Sequence, residues 1–248
     1  MRFLRIWQAL SANLRRRKVK VEYDYVRKIF YFSDLTDLGL QHGFTGKEFL
    51  PVSGQKPEAL LGNLLERDVF VLNQVHSDLY VLAEGGAKPQ KQDGDGFIIG
   101  QKAAKGAYTV KTADCAPVII KAKDVSCILH CGWRGIAAGF VQKALSSISK
   151  ISSLDGVIIC VGPCAEECCY EVGKEVIAQI GPCAAVSKRG GRESLSLSQT
   201  ILNMVSDFLP YRSYTFYRSG ICTICDERFF SYRREGKQTG RNLAFIAY

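Results

Sequence analysis

The chain has 248 residues, 47% of them hydrophobic and 23% charged, with a formal net charge of +9 at pH 7. That length and mix suit one large domain, or two small ones, around a buried core. No apolar run reaches the roughly 18 residues of a membrane-spanning helix, which argues against stable membrane insertion. A zinc-finger spacing and an aromatic-and-glycine RNA motif are both lacking, which argues against a nucleic-acid function despite the basic balance.

Residues 1–20, "MRFLRIWQALSANLRRRKVK", put Phe3, Leu4, Trp7, Leu10 and Leu14 near one helical face, ahead of a run of Arg and Lys. Arg5 interrupts the apolar stretch and no small-residue cleavage site follows, so the segment does not read as a secretory signal. It is expected to be a basic extension, frayed or docked on a partner, before a single domain over 21–248. Pro57 opens a helix over 57–67. Runs of strand length follow at 69–75, 79–83, 96–100, 107–110, 116–122 and 125–130, each bounded by Gly, Asp or Lys. Helical spacing covers 134–150, 170–180 and 197–209, with strands expected at 156–162 and 213–220. The basic, glycine-containing stretch 187–194 reads as a mobile loop. Strands come in a block with helices before and after, which predicts an α+β domain of layered sheets rather than a doubly wound parallel sheet.

Ten cysteines in a chain with this much core, and no secretory signal, read as reduced thiols of a cytoplasmic protein. Cys127 and Cys160 lie inside apolar runs and read as small core residues. Cys222 and Cys225 form a C-x-x-C, and Cys164, Cys168 and Cys169 are close in sequence. Loop shaping and a second metal or redox site are both open for them.

The chain has only three histidines. His76 and His130 each follow the apolar part of a strand, and Cys115 sits at a polar break between strands. Imidazole and thiolate are donors that zinc prefers. The spacings, 39 residues from 76 to 115 and 15 from 115 to 130, match no compact finger. Half-buried, hydrogen-bonded histidines at strand ends are the alternative.

Five motifs occur in order: "NQVHSD", "TADCAPVII", "HCGWRG", "GPCAEECCYEVG" and "FFSYRREGKQTGR". Together they resemble the YfiH-like family, also called the laccase-domain or multicopper polyphenol oxidase family. The resemblance implies a single α+β domain with two β-layers inside and helices outside (an α/β/β/α-type sandwich). It implies a metal site made of His76, Cys115 and His130. It also implies a purine nucleoside phosphorylase acting on adenosine, inosine, guanosine or methylthioadenosine, with an adenosine deaminase activity. The partners would then be a nucleoside and phosphate. Hydrolysis of an amide in peptidoglycan precursors and copper-dependent phenol oxidation are the alternatives the family carries, and a weakly catalytic binding member is a third.

Two histidines, one cysteine and an open position suit catalytic zinc. A blue-copper site would add a weak axial methionine, and a multicopper cluster needs more imidazoles than this chain has. Zinc is therefore expected, with copper the lesser choice. Asp114 and His42 are candidate proton shuttles. Arg134, at the start of a helix, suits a bidentate phosphate clamp. Against the family pattern at "HGFTGKEFLPVS", His42 is kept, but Lys47 stands where the family has Arg; both are candidate substrate-binding residues. Arg233, Arg234 and Arg241 either line the anionic site or pair with acids. "DGDGF" (93–97) departs from the family's Asp-Ala-Leu, and "LSLSQ" (195–199) from its Asp-Leu. In the turn after His130, Gly132 and Gly135 are expected to permit a tight bend, with Cys131 facing away from the metal. A monomer is favoured.

Overall fold

A computed structural model describes residues 21–49, 56–189 and 191–248. The basic extension predicted at 1–20 lies outside the described residues.

Two six-stranded mixed sheets form the centre. The first runs in the order β1 (Val21–Asp24), β2 (Ile29–Phe32), β3 (Gln41–Thr45), β14 (Asn242–Ala247), β7 (Ala107–Thr112) and β4 (Val69–Val71). The second runs β13 (Tyr214–Arg218), β10 (Val157–Val161), β8 (Ala116–Lys121), β9 (Ser126–Cys131), β6 (Gly96–Ile99) and β5 (Val81–Ala83).

Alternation along each strand decides the layering, because successive side chains point to opposite faces. In β14, Ala244 and Ile246 face the second sheet, joining Phe97, Ile119, Ile128 and Ile158 in one core. Leu243, Phe245 and Ala247 point the other way, onto Leu61 of helix α2 (Pro57–Leu65). In β9, Cys127, Leu129 and Cys131 face the helices α4 (Phe140–Ser149) and α6 (Leu197–Phe208), while Ile128 faces the first sheet. The result is helix, sheet, sheet, helix: the α+β sandwich. With both faces covered, central strands read as unbroken apolar runs, which is why β8 and β10 are legible.

Several local expectations change. The helix expected at 134–150 is two, α3 (Trp133–Ala137) and α4, because Gly139 between them takes a left-handed φ of 72°. The helix expected at 170–180 begins only at Lys174, as α5 (Lys174–Ile180), so Tyr170 and Glu171 are loop residues. In place of the loop expected at 187–194, β11 (Val186–Arg189) pairs antiparallel with β12 (Arg192–Leu195). Strands β1–β3 and β14 extend the sheet block at both ends of the domain. Two short helices complete the fold, α1 (Ser33–Asp37) and α7 (Tyr232–Glu235). Among the described residues, no helix is long and apolar enough to cross a membrane.

Candidate metal centre

Three strand-end segments converge between the sheets. Cys115 lies between β7 and β8, His130 is the penultimate residue of β9, and His76 sits in the loop after β4. Their donor atoms all lie within 4.8 Å of one another. The two imidazoles meet edge to face, with centroids 4.9 Å apart.

Asp95, immediately before β6, builds this centre. It is fully buried. One oxygen receives His130 Nδ1 at 2.8 Å and the His76 backbone N–H at 3.1 Å. The other accepts from Ser77 N and Ser77 Oγ, both at 2.7 Å, and from Val75 N at 3.3 Å. With Nδ1 engaged, His130 keeps Nε2 for a metal, the usual carboxylate–histidine arrangement. Three consecutive N–H groups aimed at one carboxylate also hold His76 in a left-handed backbone, φ 60°, which is uncommon for a non-glycine residue. "DGDGF" thus keeps the acid that matters.

Asp114 does the matching work beside Cys115. Its φ is 92°. Its carboxylate accepts from Thr223 Oγ1 at 2.8 Å and from the Arg233 backbone N–H at 2.7 Å. Both oxygens are engaged, so its geometry is that of an anchor.

Electrostatics favour a metal-ready thiolate. Burial opposes ionisation of Cys115, but the His130 and His76 imidazoles outweigh it and hold the thiol at about 6. Burial likewise opposes charge on Asp95, and its hydrogen bonds from His130 and Ser77 bring it down to about 2. Two imidazoles and an ionised thiol in mutual reach fit a zinc or copper donor set. Of the thioethers, Met204 is buried in the core under α6 and Met1 lies outside the described residues, so no described methionine offers the axial ligand of a blue-copper site.

Gly132 and Gly135 serve close approach, not a bend. Gly132 has an ordinary φ of −75°, yet a Cβ there would lie 3.0 Å from Cys115 Sγ and 3.2 Å from His76 Cδ2. At Gly135 it would meet the Ser77 carbonyl at 2.9 Å. Cys131 is buried among the helix-facing apolar residues, away from the donors.

The trio lies in the wall of a cavity of about 950 Å³. Among the described residues, Lys56, Lys91, Lys111, Arg134, Arg233 and Arg241 line it against only Glu58 and Asp114, and Trp133, Tyr170 and Tyr232 add aromatic surface. Lys111 pairs with Glu58 at 3.1 Å. Arg134 stacks on Trp133, 4.5 Å from the ring centroid, and among the described residues it has no ion-pair partner. Arg233 stacks on Tyr170 at 4.9 Å. Arg234 turns away and donates to the carbonyls of Thr223 and Ile224.

Two predicted binding residues stand elsewhere. His42 is buried in β3, its Nε2 accepting from Phe32 N at 3.0 Å and its Nδ1 set 2.9 Å from the Leu40 carbonyl. It borders a separate cavity of about 410 Å³. Lys47 pairs with Glu235 at 2.6 Å and does not line the large cavity. Each has its polar atoms spent on the fold.

The sequence profile of the multi-copper polyphenol oxidoreductase laccase family matches residues 56–248. The chain belongs to this YfiH-like family. A purine nucleoside phosphorylase of Clostridium acetobutylicum is 30% identical over 191 residues, covering 73% of this chain and 77% of that one. One from Aquifex aeolicus is 30% identical over 204 residues, covering 77% and 89%. The crystal structure of YlmD from Geobacillus stearothermophilus shares the fold, with a TM-score of 0.78 at 21% identity over 93% of this chain and 99% of that one. YfiH from Bacillus licheniformis superposes with a TM-score of 0.74 at 20% identity, over 89% and 96%. That these relatives are named purine nucleoside phosphorylase supports an enzyme of this family.

Proposed function

We propose that the protein is a zinc-dependent purine nucleoside phosphorylase. The observation that carries this is the placement of the His76–Cys115–His130 group in a cavity whose walls are both cationic and aromatic. A zinc ion held by those three residues would supply Lewis-acid polarisation at the reacting centre.

The rest of the chemistry belongs to the chain. Phosphorolysis breaks the bond between the purine nitrogen and C1′ of the sugar. The bonding pair leaves with the base, which gains a proton, and a phosphate oxygen bonds C1′ to give a sugar 1-phosphate. The sugar passes through a cation-like state, so the nucleophile must be held close. Arg134, which pairs with no carboxylate among the described residues, is the clamp for phosphate, its fork steadied on Trp133. Lys91 and Lys56, which also line the cavity, add positive potential. Tyr170 and Tyr232 offer faces for the purine. Arg233, fixed by its backbone N–H to Asp114 and its stacking on Tyr170, lines the same cavity.

Adenosine deamination at the same centre would need a proton shuttle there. Asp114 has both oxygens occupied and His42 borders another cavity. These placements favour phosphorolysis over deamination. Zinc-loaded protein given adenosine or inosine with phosphate should release free base and ribose 1-phosphate in equal amounts. Absence of both across a panel of purine nucleosides overturns the reading.

A further inference from the structure

Away from the cavity, four cysteines from two loops meet. Cys168 and Cys169 lie in the turn after β10, and Cys222 and Cys225 in the turn after β13. Their sulfurs all lie within 4.8 Å of one another. Cys225 Sγ is 2.7 Å from Cys169 Sγ and 3.2 Å from Cys168 Sγ. The backbone brings the loops together independently: Cys164 N donates to Ile221 O at 3.2 Å and Thr223 N to Cys164 O at 3.0 Å. Each turn is closed by its own bond, Cys169 N to Glu166 O at 3.1 Å and Asp226 N to Cys222 O at 2.9 Å.

We propose that Cys168, Cys169, Cys222 and Cys225 bind a structural zinc ion that fastens the two loops behind the cavity wall. A tetrahedral ion with Zn–S bonds of about 2.3 Å sets its sulfurs about 3.8 Å apart, inside the 4.8 Å limit that contains all four here. A disulfide joins two sulfurs at about 2.05 Å and explains no convergence of four. A polynuclear iron–sulfur cluster interposes its own sulfides and spreads its cysteines wider. Cys222–x–x–Cys225 has the spacing of a zinc ribbon half-site, and exposed Cys168 and Cys225 leave a path for entry. Each thiol releases its proton to solvent as its sulfur binds the ion. Cys164, buried one turn earlier, is not part of the group.

The loops so joined serve the cavity. Tyr170, next to Cys169, lines it, and Thr223, next to Cys222, donates to Asp114. Arg234 holds the carbonyls of Thr223 and Ile224, the two residues between Cys222 and Cys225. The site does not depend on the metal at His76, Cys115 and His130, nor on the reaction there.

The test is zinc content per chain, on full-length protein made with zinc and purified under reducing conditions. With two donor groups the chain should carry two zinc ions. The double variant His76→Ala/Cys115→Ser should keep one, and its cobalt-loaded form should show the intense thiolate-to-metal absorption of a tetrathiolate site. Cys168→Ser/Cys225→Ser in the wild-type background should lose one ion; if that variant does not fold, the cobalt spectrum of the first still decides. No zinc in His76→Ala/Cys115→Ser overturns the proposal. So does iron in place of zinc, or a Cys169–Cys225 disulfide in the zinc-supplied protein.

Discussion

Asp95 accepts a hydrogen bond from His130 Nδ1 at 2.8 Å, and the same oxygen receives the backbone N–H of His76 at 3.1 Å. One buried carboxylate therefore orients one candidate metal donor through its ring and another through its backbone. Asp95 is a positioning residue for both. Replacing Asp95 by Asn puts an amide N–H₂ where N–H groups need an acceptor. Metal affinity should fall by roughly 10–100-fold, the range typical for partners of metal-bound histidine. Competition with a zinc chelator measures it, and an unchanged affinity would show that Asp95 does not orient the donors.

Gly132 is a steric prediction. A Cβ placed 3.0 Å from Cys115 Sγ and 3.2 Å from His76 Cδ2 forces donors apart. Gly132→Ala should weaken zinc binding while costing about 1–3 kcal/mol of stability, as overpacking does. Calorimetry with and without zinc separates the two effects. A variant with wild-type zinc affinity would contradict the close-approach role.

Arg134 should act on phosphate more than on the nucleoside. Arg134→Ala is expected to raise KM for phosphate at least tenfold, the loss of roughly 1.4 kcal/mol or more from a charge-assisted contact. KM for the nucleoside should move little. Arg134→Lys should recover only part, since Lys offers a point charge and not a fork. Equal effects on both substrates would remove Arg134 from the phosphate clamp.

His42 makes a pH prediction. Burial pushes its imidazole down to about 4, and the N–H of Phe32 donating to Nε2 requires the neutral ring. In the unfolded chain it titrates near 6.5. As pH falls below about 6.5 the unfolded state takes up the proton first, so stability is full above that pH and lost between about 6.5 and 4. The loss reaches about 3 kcal/mol at 1.36 kcal/mol per pH unit. Urea melts of wild type and His42→Gln across this window check it; parallel curves would contradict the account. Asp24 and Arg27, which border the same cavity, pair with each other at 3.1 Å and are common to both proteins.

His76, Cys115 and His130 are each conspicuous in sequence, because each ends or interrupts an apolar run, but their spacing matches no compact finger and only the resemblance of the five motifs implies that they act together. Asp95 is not singled out, because "DGDGF" is read only as a departure from the family's Asp-Ala-Leu, and its bond to His130 spans 35 residues of sequence. Asp114 is visible as an acid beside Cys115, but the role of its carboxylate depends on Thr223 and Arg233, 109 and 119 residues away. The sheet core is legible for the same reason as β8 and β10: buried on both faces, they are apolar but for Lys121 at the end of β8. The β11–β12 hairpin carries charges on both strands and lacks the alternation that marks a half-buried strand. His42 shows the limit of reasoning by residue type. A histidine in a recognised motif drew a functional expectation, and the fold spends both of its ring nitrogens on backbone.

The reaction proposed is phosphorolysis at the His76–Cys115–His130 centre. Its most direct test is the initial rate of purine release from adenosine or inosine as phosphate is varied, in the zinc-loaded wild type and in Cys115→Ser. The account predicts a saturable dependence on phosphate, ribose 1-phosphate formed mole for mole with base, and loss of turnover in Cys115→Ser. Base release without phosphate, or an undiminished rate in Cys115→Ser, would contradict it.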